Sequence, residues 1–245
     1  MIELYDEIGD GYRRRRRPDP RIAAVVLRGL GDASSVVNVG AGAGSYEPSD
    51  PRLVAVDPSM TMIRQRPRSA AAVVCGSAVS LPFRDAAFEA SLAILTLHHW
   101  PDQVHGLREL RRVANRRVVI LTWDPATPGF WLSDYFPEIL TIDRQIFPSL
   151  DLLRDHLGRI AVFDVPIPRD CRDGFLGAYW CRPRRYLEES VRAAISTFSK
   201  VRDAETGLVS LTRDLDSGDW HRRYASMLSG TDRDLGYRLI VASAA

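Results

Sequence analysis

Three stretches combine residue types and spacings suited to chemistry. The first, VVNVGAGAGSYEP (Val36 to Pro48), sets glycines at 40, 42 and 44 directly after a run of β-branched residues. A strand entering a glycine-rich turn brings main-chain N–H groups close to a ligand. The second is LVAVDPS, in which Asp57 closes the next apolar run. A carboxylate there can accept both hydroxyls of a ribose, because the second strand of a parallel sheet ends beside the first glycine turn. The third is LTLHHWPD, which puts His98 and His99 after the fourth apolar run. Carboxyl ends of parallel strands face ligands, and an imidazole there can take a proton from a hydroxyl or an amine. Trp100 beside them reads as packing. A dinucleotide fingerprint would need a third glycine where Ser45 stands, so a nicotinamide cofactor is not expected. No His, Cys or carboxylate cluster has metal-ligand spacing, and no metal is expected.

The elements that must position these residues follow from the apolar pattern. Strand-like runs occur at 36–39, 53–56, 71–75, 92–95 and 118–122, with later ones at 160–167 and 239–242. Most of the first five are continuous, as in parallel strands covered on both faces. Helices are expected over Pro20 to Leu30, Ser59 to Arg66 and Asp102 to Val113. In the last of these Val104, Leu107, Leu110 and Val113 mark one apolar face. The alternation predicts an α/β fold with a doubly wound, mostly parallel, seven-stranded Rossmann-like sheet. Residues 125–235 break the rhythm with aromatics and prolines, and are read as helical additions forming a lid or substrate wall. The organisation expected is one domain over 1–245, with residues 1–30 covering a ligand and 125–235 forming the acceptor-binding region.

The chain has 245 residues, a formal net charge of +2 and three cysteines. Near-neutral charge gives no whole-protein case for nucleic acid. Cys75, Cys171 and Cys181 form neither a CxxC pair nor a disulfide framework, which fits a reducing compartment. No apolar run is long enough to span a bilayer, and a cytoplasmic location without membrane contact is expected. The Arg13–Arg17 run is short and lacks interleaved aromatics, so it reads as a solvated turn rather than a phosphate-binding patch.

In order and spacing, VVNVGAGAGSYEP, LVAVDPS, VCGSAVSLPFRDAAFEAS and LAILTLHHWPDQVHGLRELRRV resemble the class I S-adenosylmethionine-dependent methyltransferases, in particular the small-molecule branch that includes the ubiquinone/menaquinone-biosynthesis type. The resemblance runs from about Tyr5 to Val119. It implies S-adenosyl-L-methionine as cofactor, with Gly40, Ala41 and Gly42 along its methionine part, Asp57 on the ribose, and Gly76, Ser77 and Ala78 along the adenine edge. Asn38, Pro58, Ser59 and Leu95 complete the expected contacts. A tyrosine, three residues, an arginine and a nearby proline commonly precede the first strand in this family. Tyr12, Arg16 and Pro18 match that pattern, which implies that Arg16 pairs with the cofactor carboxylate and Tyr12 helps cover it.

Two positions depart from the family. Asn38 stands where an acidic residue is usual, and Ser77 where an aspartate is usual. Asn38 retains an acceptor oxygen but adds no negative charge near the cofactor's amino group. The resemblance further implies methyl transfer to a small organic acceptor at oxygen, nitrogen or carbon, with bacterial specialised metabolism as the expected setting. His98 and His99 are the candidate catalytic pair, either as a general base or as shapers of the pocket. Trp131, Tyr135, Tyr179 and Trp180 are the candidate acceptor-binding residues, with core packing as the other reading. Two alternatives stand beside this. A nucleic-acid methyltransferase would be expected to carry wider basic patches and an Asn/Asp-Pro-Pro-aromatic motif, where this chain has His98-His99-Trp100-Pro101. A non-catalytic cofactor-binding partner protein would transfer no methyl group. The oligomeric state is left open.

Overall fold

The protein is described by a computed structural model covering residues 16–48 and 52–244. Its central sheet has seven strands in the order β3-β2-β1-β4-β5-β9-β6. These are β1 (Val36–Val39), β2 (Leu53–Asp57), β3 (Ala72–Cys75), β4 (Phe88–Ile94), β5 (Ala114–Trp123), β6 (Ile160–Asp164) and β9 (Tyr237–Ser243). β7 (Ile167–Pro168) and β8 (Asp232–Arg233) form a separate two-stranded sheet. β1 to β5 run parallel, whereas β9 is antiparallel to both β5 and β6. The chain order reverses at β1, between β2 and β4, and ligands bind at the carboxyl ends beside such a switch point.

The helices are α1 (Pro20–Leu30), α2 (Met60–Arg64), α3 (Gln103–Val113), α4 (Leu132–Tyr135), α5 (Glu138–Ile146), α6 (Leu150–Leu157), α7 (Glu189–Arg192), α8 (Ala204–Ser217) and α9 (Asp219–Arg223). Side chains cap several where the sequence changes from turn to apolar repeat: Asp19 for α1, Ser59 for α2 and Asp102 for α3. Such a cap satisfies an otherwise orphaned N–H and contributes about 1 kcal/mol. Alternate residues of β1 point to opposite faces, and each face has its own core. Val36 packs with Ile22, Val26 and Leu30 of α1. Val37 and Val39 pack with Leu107, Leu110 and Val113 of α3 and with Leu153 and Leu157 of α6. Each such aliphatic side chain, fully buried, contributes roughly 1.5–3 kcal/mol.

Three elements differ from the apolar pattern, each for a visible reason. β4 and β5 start four residues earlier than their apolar runs, at Phe88 and Ala114, because Arg116 bonds Glu89 at 3.2 Å and Asp32 at 2.9 Å and lets charged residues join the ladder. The run at 160–167 is split by Pro166, which cannot donate to a ladder, so β6 ends at Asp164 and β7 begins at Ile167. Residues 125–235 fold around aromatic rings centred on Trp131, which meets Tyr135, Tyr186, Trp220 and Tyr224 at centroid distances of 5.1–5.9 Å. The first three pairs are edge-to-face, an arrangement that adds about 0.5–1.5 kcal/mol per pair beyond area burial.

α3 approaches the sheet's carboxyl edge closely enough that a Cβ at Gly106 would run into the Trp100 ring. Gly106→Ala should therefore cost about 1–3 kcal/mol through overpacking. Denaturant unfolding with an unchanged midpoint would show that Trp100 has room to move.

Candidate functional site

The glycine turn and the end of β2 enclose a cavity of about 340 Å³. Gly40 and Gly42 have φ of +70° and +51°, in the left-handed region where a side chain is strained. A Cβ at Gly40 would also run into the Thr96 hydroxyl and lie 2.9 Å from Thr96 Cβ, so only glycine lets the turn close against β4. Asp57 fixes the turn from below: Gly42 donates its N–H to Oδ2 at 2.7 Å, and Ser59 donates to Oδ1 at 2.9 Å. Burial pushes the Asp57 carboxyl up from its ordinary value, opposed by those two backbone donors and by Arg66. Tyr46 and Leu95 also line the cavity with positive φ, +63° and +48°. Non-glycine residues in that region are held there by their surroundings and gather at ligand sites.

Asn38 is buried on β1, and its Nδ2 donates to Glu47 Oε1 at 3.1 Å. That bond fixes the amide and leaves Oδ1 a buried acceptor without a hydrogen-bond partner, on a residue of the cavity wall. Glu47 in turn pairs with Arg66 at 2.7 Å, both side chains being almost wholly buried. Arg66 also donates to Gly42 O at 3.3 Å and to Ala71 O at 3.2 Å, joining the turn to the segment before β3. The negative charge absent at position 38 thus lies one hydrogen bond behind it.

Arg16 is held from the other side by Asp173, at Nε to Oδ1 2.8 Å, and Tyr46 donates its hydroxyl to Asp173 Oδ2 at 2.8 Å. Residues before α1 and residues of the 125–235 region therefore meet over the cavity.

A second, smaller cavity of about 50 Å³ adjoins the first, and Arg16, Leu95 and His99 belong to both walls. Trp123, Phe147, Phe175, Leu176, Ile195 and Tyr237 supply most of its apolar wall. His98 is buried and stacks on Phe147 with centroids 4.1 Å apart, and the two imidazoles touch at 3.8 Å. Burial holds His98 well below the ordinary imidazole range, reinforced by His99, Lys200 and Arg16. Burial likewise lowers His99 to about 3, with Lys200 and Arg16 adding repulsion. Both rings are therefore neutral at physiological pH, and neither has the near-neutral basicity that a free imidazole would bring.

Of the residues singled out in the sequence, Arg16, Asn38, Gly40, Ala41, Gly42, Asp57, Pro58, Ser59, Ser77, Ala78, Leu95 and His99 line the larger cavity. Gly76 does not: it stands behind the wall, where a Cβ would meet Val56 at 3.2 Å. Tyr12 lies outside the described residues. Trp131, Tyr135, Tyr179 and Trp180 line neither cavity and are at most 8% exposed. They sit in the aromatic core, the other reading of these residues, where Trp131 Nε1 donates to Trp180 O at 2.8 Å and Tyr135 donates to Asp214 at 2.8 Å. A residue not foreseen, Asp143, is in the wall of the smaller cavity. Its trace in the sequence was a carboxylate four residues after Ile139, both buried on α5.

A methyltransferase domain model matches residues 37–121. A solved structure from Anabaena variabilis, described as a methyltransferase from an antibiotic biosynthesis pathway, is 31% identical, covers 93% of this chain and 98% of its own, and superposes with a TM-score of 0.83. The chain belongs to the class I S-adenosylmethionine-dependent methyltransferases. Rice 2-methyl-6-phytyl-1,4-hydroquinone methyltransferase 1 is 27% identical over 110 residues, 45% of this chain and 30% of that protein. A Xenopus tropicalis tRNA (carboxymethyluridine(34)-5-O)-methyltransferase is 32% identical over 130 residues, 49% of this chain and 20% of that protein. The chain thus spans less than a third of the length of the curated relatives it matches. Among the described residues, no helix is long and apolar enough to cross a membrane.

The cofactor of this methyltransferase family is S-adenosyl-L-methionine, and the larger cavity has the groups to receive it. Asn38 Oδ1 is an orphaned acceptor suited to an ammonium, Trp100 Nε1 is an orphaned donor in the same wall, and Asp57 has carboxylate lone pairs beyond its two backbone bonds. For His98 and His99 we expect nuclear magnetic resonance of histidine-labelled protein to show neutral-ring shifts throughout about pH 5 to 8, because burial opposes the charged form. A midpoint near 6.5 for either ring would contradict the burial described.

Proposed function

We propose that this chain transfers a methyl group from S-adenosyl-L-methionine to a small organic acceptor lodged in the smaller cavity. The observation that carries this reading is the junction of the two cavities at Arg16, Leu95 and His99, next to the nucleoside-sized space over the glycine turn. In this reading Asp57 receives the ribose hydroxyls, Asn38 Oδ1 the amino group, Arg16 the carboxylate, and Ser77 and Ala78 border the adenine. When bound, the cofactor supplies a methyl group already activated by its sulfonium. The protein's share is then alignment and exclusion of water, which make up most of what a displacement of this kind needs.

His98 and His99 serve as neutral wall groups that orient the acceptor, since burial and the nearby cations Lys200 and Arg16 disfavour an imidazolium. A setting in bacterial specialised metabolism is supported by likeness to the Anabaena protein over nearly its whole length. The apolar aromatic wall supports a small, flat acceptor over a polynucleotide.

Calorimetry with S-adenosylhomocysteine should give a dissociation constant in the micromolar range. Asp57→Ala should weaken it by about 1.5–3 kcal/mol, the worth of hydrogen bonds to a charged group. Unchanged affinity would place the ribose elsewhere. Labelled methyl transfer into a metabolite extract, with none into transfer RNA, is the expected outcome of an acceptor screen; the reverse distribution would overturn the small-molecule reading.

A further inference from the structure

Two residues in the wall of the smaller cavity each carry a buried polar atom that the protein leaves unsatisfied. Asp143 has no solvent exposure; its Oδ1 accepts the Thr197 hydroxyl at 2.8 Å, while Oδ2 has no hydrogen-bond partner. His98 Nδ1, in the same wall, is likewise without one. A buried polar atom left unpaired costs free energy comparable to a lost hydrogen bond, and native interiors avoid it unless something else supplies the partner. Around these two atoms the wall is aromatic and aliphatic.

α5 explains how the carboxylate comes to be there. Ile139 and Asp143, four residues apart, share its buried face, so the register that packs α5 also carries Asp143 inward. Phe147 donates its N–H to the Asp143 backbone carbonyl at 2.8 Å and stacks on His98. Asp143, Phe147 and His98 are thereby linked, and the same cavity wall continues through His99 to the cofactor side. Thr197 secures the carboxylate from the turn preceding Phe198–Lys200.

We propose that Asp143 is the residue that selects the methyl acceptor, receiving at Oδ2 a hydrogen bond from a hydroxyl or N–H carried by a flat, otherwise apolar molecule. The role rests on the acceptor cavity assigned above. Burial pushes the Asp143 carboxyl up to about 7, as expected for an anion with one partner where it has room for more. A donor on the acceptor stabilises the ionised form and satisfies Oδ2. An isosteric molecule without the donor leaves the carboxylate buried and underbonded, and such sites discriminate strongly against it. The selection is thus for acceptors with a polar hydrogen, and against equally apolar ones that lack it.

Phenol and toluene separate this from simple apolar binding, because toluene is the more hydrophobic of two rings of similar size. The full chain would be titrated with each, alone and with S-adenosylhomocysteine, at about pH 8 so that the carboxylate predominates. Phenol should bind the wild-type chain about tenfold tighter than toluene. Asp143→Asn keeps an acceptor for Thr197 but turns an N–H towards the ligand, and should weaken phenol about tenfold while leaving toluene and S-adenosylhomocysteine unchanged. The wild-type preference alone decides the matter if the variant does not fold. Equal binding of the two rings, equal weakening of both by the variant, or binding of neither would each overturn the role. Loss of S-adenosylhomocysteine binding by the wild-type chain would instead count against the cofactor reading, with the cofactor-free titrations still deciding on Asp143.

Discussion

The pair of backbone bonds from Gly42 and Ser59 to the Asp57 carboxylate is the constraint on which the site depends. One residue at the end of β2 fixes both the glycine turn after β1 and the start of α2. The turn needs left-handed backbone at Gly40 and Gly42, a conformation with little intrinsic preference of its own, so an external acceptor is required to hold it. Parallel pairing of β1 with β2, in the register Val39 to Val56, brings that acceptor to the right height. Sheet topology, strand register and one carboxylate together make the cavity.

A second layer of charge surrounds this one. Arg66 and Glu47 are buried as a pair, and a buried pair is worth keeping only where its remaining hydrogen-bonding capacity is also used. Most of it is used here: Arg66 reaches two backbone carbonyls through its terminal nitrogens, with Nε left unpaired, and Glu47 takes the Asn38 amide. Asn38 thereby bonds a carboxylate that Arg66 neutralises, and position 38 brings no charge to the cavity wall. On the opposite side Asp173 holds Arg16 and Tyr46, so residues far apart in sequence close over the same space.

The sequence carried the sheet and the residues that gather around the larger cavity, and the reason is local. Continuous β-branched runs, a glycine turn and a strand-terminal aspartate are neighbours in sequence as well as in space, and β1 spans the very residues of its apolar run. The smaller cavity was less legible because its wall is assembled from α5, the region around Leu176, the turn near Thr197 and β9, which only tertiary packing brings together. Aromatic content pointed to Trp131, Tyr135, Tyr179 and Trp180, yet rings pack against rings as readily as against a ligand, and these four form core. Asp143 gave the opposite signal, a polar residue on an apolar helical face. His98 and His99 stand where the pattern put them, but their basicity depends on burial, which no spacing reveals.

A structure of the chain bound to S-adenosylhomocysteine would test the account most directly. The ribose hydroxyls should lie on Asp57, the amino group on Asn38 Oδ1 and the carboxylate on Arg16, with the sulfur at the junction bordered by Leu95 and His99. A nucleoside seated away from Asp57, or a sulfur facing away from the smaller cavity, would contradict it.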